Sequence, residues 1–387
     1  MMQGHRGLLQ LPLALGTCAL LACGPAEEVR SHEVVQWGVG FEAGPLVVGF
    51  ESQDMARTSQ AGEPRDLTLA LWYPAGAAVG EPLPLGDLYQ LVVDEGQLEE
   101  ARGLSPERGL PAVMTGDSAA LSVAESLGAL SAPTRAFRDA APAEGSFPLL
   151  LWSSRHATIL AQAPMAESLA SQGFVVATAW SSDPPLVFPW EDGSEADKQA
   201  TVQEHAGDLG AVLDRLQDDP RVDADGTVLL SWSYGGQSAA ILQERDPRVR
   251  AVVGLDANVL PVEGEASVQI KKPLVYFIGE DLEGRGFDRL DGLSTPWVAL
   301  RLPETAHGNF NALEGYLPAL FGSETVFEWS QGGEVAVSGY AALTRMVGEA
   351  ARTFRTDSLP SVEDLAERLV VAGYPAQVEL RHSNQAR

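Results

Sequence analysis

The stretch Leu229-Leu230-Ser231-Trp232-Ser233-Tyr234-Gly235-Gly236 decides the reading of this chain. An apolar run from Thr227 to Trp232 predicts a buried strand. It follows the turn-like Asp223-Ala224-Asp225-Gly226 and stops at a serine backed by two glycines. A helix-compatible run, Gln237 to Arg245, comes next. Strand, sharp turn and helix are the setting of a nucleophile elbow. There a serine on a strained turn exposes its Oγ above the sheet, and the following backbone N–H, here that of Tyr234, helps to make an oxyanion hole. The usual pattern is G-x-S-x-G. Ser231 stands at its first small position and Gly235 at its second. A tight turn without chemistry would carry the same residues, so the surrounding chain has to decide.

Outward from the elbow, apolar strands alternate with helical periodicity. Upstream, Val202, Ala206, Leu209, Leu213 and Leu216 make one apolar helix face. Before them come a strand Phe147–Trp152, a helix Thr158–Gln172, and a strand Phe174–Trp180 followed by a Pro-, Trp- and acid-rich loop. Downstream, strands are expected at Val249–Leu255, Leu274–Ile278 and Trp297–Leu302, with closing helices Ala341–Phe354 and Val362–Ala372. Continuously apolar strands separated by helices predict an α/β fold around a mostly parallel sheet covered on both faces. Near the N-terminus, Leu46–Phe50 and Leu67–Trp72 read as antiparallel edge strands with one wet face. Residues 75–145 read as a variable insertion with helix-like pieces near 88–102 and 118–130.

A serine nucleophile needs a base to take its proton and an acid to orient that base. In the arrangement that carries such an elbow the order is Ser, then Asp or Glu, then His. Of the six histidines, His5 and His32 lie near the N-terminus, His156 and His205 precede Ser233, and His382 sits in a polar tail expected to fray. His307 is left, in Glu304-Thr305-Ala306-His307-Gly308-Asn309-Phe310, just past a strand end. Two acids qualify: Asp256, after the strand ending at Leu255, and Asp281, after Leu274–Gly279. Position alone does not choose between them.

From about residue 45 to 312 the chain resembles the platelet-activating-factor acetylhydrolases of the α/β-hydrolase superfamily. The resemblance rests on Trp152-Ser153-Ser154-Arg155-His156, Ser168–Ala177, Trp232-Ser233-Tyr234-Gly235-Gly236, Val253-Gly254-Leu255-Asp256-Ala257 and Thr305–Phe310. It implies an α/β-hydrolase fold and a Ser233, Asp256, His307 triad, favouring Asp256 over Asp281. More distant polyester and dienelactone hydrolases place the acid nearer Asp281. It further implies a second oxyanion donor at the backbone N–H of His156, and esters of short-acyl or oxidised phospholipids as substrates. Ser154 and Arg155 replace the family's histidine-glycine pair, which puts the path of that loop in question.

Composition narrows the partners. A net charge of −27 argues against nucleic-acid binding, since phosphate contact needs clustered Lys and Arg. No His, Cys and carboxylate cluster has ligand spacing, so neither a metal nor an organic cofactor is implied. Residues 1–22 read as an export signal, with an apolar core Leu8–Leu21 too short for a membrane span. Leu20-Leu21-Ala22-Cys23 resembles a bacterial lipobox, with Cys23 as the lipidated first residue of the mature chain, 23–36 as a tether and 37–387 as the catalytic domain. The expected location is the bacterial cell envelope, lipid-anchored, with secretion after ordinary cleavage as the alternative. Two functions are carried forward: a serine ester hydrolase acting on a small-molecule or lipid ester, and a non-catalytic hydrolase-fold lipoprotein that binds a ligand or partner.

Overall fold

The computed structural model describes residues 41–91, 131–154, 159–181, 194–259, 268–279, 290–312, 316, 333–355, 361–371 and 379–383. Among these, ten strands form one mixed sheet in the order β10-β9-β8-β7-β6-β4-β5-β2-β1-β3. In chain order the elements are β1 (Val47–Thr58), β2 (Pro64–Ala75), α1 (Leu85–Gln90), β3 (Ala136–Arg138) and β4 (Phe147–Ser154). Then come α2 (Ile159–Ser171), β5 (Val175–Trp180), α3 (Glu195–Leu216), β6 (Val222–Trp232), α4 (Gly235–Arg245) and β7 (Val249–Leu255). The chain continues through β8 (Leu274–Ile278), β9 (Trp297–Arg301), α5 (Gly333–Thr353), α6 (Val362–Val371) and β10 (Glu379–His382).

The strands β5-β4-β6-β7-β8-β9 run parallel, with β2 and β10 antiparallel on either side. From β4 the chain winds to β5, then crosses back through α3 and lays β6 on the other side of β4. Such a reversal opens a crevice at the carboxyl ends of the two strands, where α/β sheets place ligands. Ser233 follows the last residue of β6.

Strand alternation supplies two cores. Leu149, Leu151, Val175, Ala177 and Leu229 pack on one face with Leu209 and Leu213 of α3 and Leu242 of α4. Leu150, Trp152, Val176 and Leu230 pack on the other with Leu169 of α2, Met346 of α5 and Leu369 of α6. The apolar face expected on α3 is buried at all five positions. Its start is fixed by a capping box, with Ser194 accepting from the Asp197 N–H and Asp197 reaching back to the Ser194 N–H.

Four local readings change. Asp223–Gly226 is counted within β6, but the pairing slips there: Pro148 lies opposite Asp223 and Leu150 opposite Val228, so the turn-forming residues make an irregularity inside the strand rather than a turn before it. Val222 and Ala224 are buried and the two aspartates exposed. β2 has no wet face beyond Leu69, because it lies between β1 and β5 under helices on both sides. The ends of the 75–145 stretch are built into the body: β3 pairs with β1, and Leu83, Leu85 and Leu88 join the core. His382 does not fray. It is buried in β10, opposite Val298 of β9.

β6 and β7 start from the same turn. Asp219-Pro220-Arg221-Val222 and Asp246-Pro247-Arg248-Val249 each fold the arginine back onto the aspartate. In both, the arginine backbone N–H and Nε donate to Oδ1 at 2.9–3.0 Å, and an Nη donates to Oδ2 at 2.6–2.7 Å. Hydrogen bonds from Arg248 hold the Asp246 carboxyl below its ordinary pKa. Burial works against the Asp219 carboxylate, but bonds from Arg221 outweigh it and lower its pKa as well.

Candidate active site

At the carboxyl edge of the sheet, Ser233 sits at φ 53° between β6 and α4. A non-glycine residue in this left-handed region costs on the order of 1–3 kcal/mol and persists only where its surroundings over-determine it. Here they do. The Ser233 carbonyl accepts from the N–H of Gly236 at 3.1 Å and of Asn258 at 2.7 Å. Ser153 at the end of β4 donates its hydroxyl to the Gly235 carbonyl at 2.7 Å. Ser231, at the first small position of the elbow, is buried and turns its hydroxyl to the Val253 carbonyl of β7 at 3.4 Å. Gly236 must be glycine: a Cβ would stand 2.7 Å from backbone atoms of Asn258 and Val259.

The next strand end repeats the device. Asp256 follows β7 at φ 45° and is fully buried. Its N–H donates to the Phe277 carbonyl at 2.8 Å, and its Oδ1 accepts from the Gly279 N–H at 3.2 Å. Tyr276 of β8 lies where a Gly254 side chain would be, and donates its hydroxyl to the Ala257 carbonyl at 2.7 Å. The acid loop is thus tied to β8 and, through Asn258, to the elbow.

His307 opens a short 3₁₀ turn, His307–Phe310, beyond β9. Asn309 closes that turn by accepting the Ala306 N–H on its Oδ1 at 3.0 Å, and Phe310 anchors it in the core. A third positive φ, 54° at Glu304, bends the chain on the way in. The imidazole Nδ1 lies 2.5 Å from Asp256 Oδ2, and Nε2 lies 3.0 Å from Ser233 Oγ. A carboxylate oxygen only accepts, so Nδ1 donates to it; in the neutral imidazole Nε2 is then the acceptor, and the Ser233 hydroxyl donates to it. Ser233 is 8% exposed, and the imidazole side chain 20%. A hydroxyl hydrogen-bonded to a neutral imidazole, itself oriented by a buried carboxylate, can attack an electrophilic carbonyl while passing its proton to Nε2.

Ser233 and Asp256 therefore each lie within hydrogen-bonding reach of His307, on opposite sides of its ring. The backbone N–H of Tyr234 stands at the start of α4, at the positive end of its dipole. Asp281, His156 and Cys23 lie outside the described residues. Among the described residues no group of three His, Cys, Asp or Glu side chains could hold a metal ion, and no helix is long and apolar enough to cross a membrane. Sequence reading passed over Asn258, Tyr276, Gly279 and Asn309. Asn258 and Gly279 act through their backbone N–H groups and Tyr276 and Asn309 through side-chain oxygens bonded to the backbone, none of which spacing reveals.

No protein-family model matches the sequence, and a search of curated proteins finds no match. Solved structures do match. A ferulic acid esterase from Streptomyces cinnamoneus aligns over 87% of this chain and 96% of its own, at 22% identity and a TM-score of 0.62. A dienelactone hydrolase-like promiscuous phosphotriesterase from metagenomic libraries aligns over 79% of this chain and 98% of its own, at 13% identity and a TM-score of 0.41. The fold of this chain is the α/β-hydrolase fold.

Proposed function

We propose that this chain is a serine carboxylic-ester hydrolase working through an acyl-enzyme. Ser233 Oγ attacks the ester carbonyl as its proton passes to His307 Nε2. The tetrahedral oxyanion is received by the Tyr234 N–H and by a second donor from the loop after β4, for which His156 is the candidate. His307 returns the proton to the departing alcohol, leaving acyl-Ser233. Water, deprotonated by the same imidazole, then releases the acid and restores the serine. Asp256 keeps the imidazole in the tautomer with hydrogen on Nδ1 and stabilises the imidazolium that forms.

The observation that carries this reading is the unbroken path from Ser233 Oγ through His307 to buried Asp256, at 3.0 and 2.5 Å. The substrate is the finer part of the proposal. Resemblance to the acetylhydrolases favours short-acyl or oxidised phospholipid esters, while the aligned esterase's own activity makes feruloyl esters the comparison to run beside them. Export, and acylation of the mature chain at Cys23, complete the proposal. Mass spectrometry of the mature N-terminus tests both, and an intact Cys18 would remove them.

A fluorophosphonate should label the wild-type chain stoichiometrically on the Ser233 peptide and leave Ser233→Ala unlabelled. Full labelling of the variant would place the nucleophile elsewhere. A wild-type chain that takes no label and cleaves no p-nitrophenyl ester of graded length would favour the non-catalytic alternative.

A further inference from the structure

We infer that Trp232 is the positioning residue for His307, gripping the base by its ring and its backbone at once. Its indole stacks on the imidazole, with centroids 5.1 Å apart and planes inclined by 22°. Its Nε1–H donates to the His307 carbonyl at 3.2 Å. Both contacts come from the residue that precedes the nucleophile, and Trp232 itself is 5% exposed in the core beside Leu230.

The need is geometric. Asp256 fixes one ring nitrogen, which leaves the imidazole able to tilt about that hydrogen bond and to swing with its loop. The stacked indole removes the tilt, because the two planes must stay nearly parallel. The N–H bond sets the height of the His307 backbone. Trp232 and Ser233 are consecutive, so a small movement of the strand end carries nucleophile and base together. The contact also strengthens when it is needed, since a cation over an indole face is attracted more than a neutral ring and His307 becomes imidazolium at the tetrahedral stage. An interaction stronger at that stage than in the resting state accelerates the reaction. A leucine at this position would fill space without stacking or donating.

The inference rests on reading His307 as the base, and the experiment separates the two. Trp232→Leu and Trp232→Phe are compared with wild type on an alkyl ester and a p-nitrophenyl ester of the same acid. The alkoxide leaving group needs a proton from a well-placed imidazolium, whereas p-nitrophenolate departs unaided. Trp232→Leu should lose about 30-fold in kcat on the alkyl ester and about tenfold on the nitrophenyl ester, with KM changed less than about twofold. Trp232→Phe keeps an aromatic face and should recover to within about fivefold of wild type. A folded Trp232→Leu that loses less than about twofold, or that loses equally on both esters without rescue by phenylalanine, overturns the inference. Should Trp232→Leu fail to fold, the wild-type chain decides. The His307 Hε1 resonance, assigned by its absence in His307→Gln, should lie upfield of free histidine, and an unshifted resonance overturns the inference. His307→Gln with full activity would instead sink the proposed function. An inactive His307→Gln beside an unimpaired Trp232→Leu would sink the role of Trp232 alone.

Discussion

β6 and β7 begin and end in opposite ways. Each begins at an Asp-Pro-Arg-Val turn, where an arginine folds onto the aspartate two residues before it and no residue has a positive φ. Each ends one residue short of a side chain held at positive φ, Ser233 after β6 and Asp256 after β7. The ion-paired ends hold the strands in place. The strained ends spend part of that stability on aiming a hydroxyl and a carboxylate at one imidazole. Substitutions at the ion-paired ends should therefore show in stability alone, and those at the strained ends in turnover as well.

The largest effect is expected at the carboxyl ends. Asp256→Asn should lose about a hundredfold or more in turnover, and Asp281→Asn less than about tenfold, with circular dichroism unchanged in both. The comparison is made on one ester at saturation, and the reverse order of damage would move the acid to Asp281. Gly236→Ala comes next. Its methyl would meet backbone atoms of Asn258 and Val259 at 2.7 Å, so urea unfolding should report a loss of about 2 kcal/mol. Because Asn258 also holds the Ser233 carbonyl, turnover should fall with it. Unchanged stability would mean that the acid loop yields easily, which contradicts a strained and over-determined edge.

At the other end, Asp246→Asn should cost about 1–2 kcal/mol in urea while leaving turnover within about twofold. The folded Asp246 carboxyl titrates below the unfolded one. Its contribution is therefore full above the unfolded value of about 4 and is lost as pH falls through the folded value. The gap between variant and wild type should close in acid, and a gap that persists there would give Asp246 a role other than this ion pair. The smallest effect isolates the strain. Ser233→Gly should be about 1 kcal/mol more stable than Ser233→Ala, since both lack the hydroxyl and differ in the cost of positive φ. Equal stability would remove strain from the account of the elbow.

Much of this was legible in the sequence, and the reasons differ by element. The parallel strands showed because a sheet covered on both faces demands unbroken apolar runs, and Val249–Leu255 and Leu274–Ile278 were found at their observed bounds. Ser233 and His307 showed because elbow chemistry and chain order restrict the choice to a few residues. β3 and β10 did not, because three or four residues on a sheet edge are defined by the strand beside them rather than by their own pattern. Position left Asp256 and Asp281 both open because each follows a neighbouring strand, the resemblance favoured Asp256, and the structure sets Asp256 Oδ2 2.5 Å from the imidazole. Trp232 was hidden inside an apolar run, where an indole reads as core until its partner is seen.

The crossing back over β4 also bears on how the chain comes off the ribosome. β4 and β5 are made early, and the far edge of β4 then waits while α3 is synthesised. In the finished sheet β6, β7, β8 and β9 lie beyond that edge in the order in which they are made, and β10 closes it with an antiparallel pairing. A chain interrupted before β9 holds an elbow and an acid loop but no histidine beside them. It also presents an open strand edge, the surface most given to pairing with another chain. By this order an unfinished molecule lacks the proposed base during the same interval in which its open edge makes it most prone to aggregate.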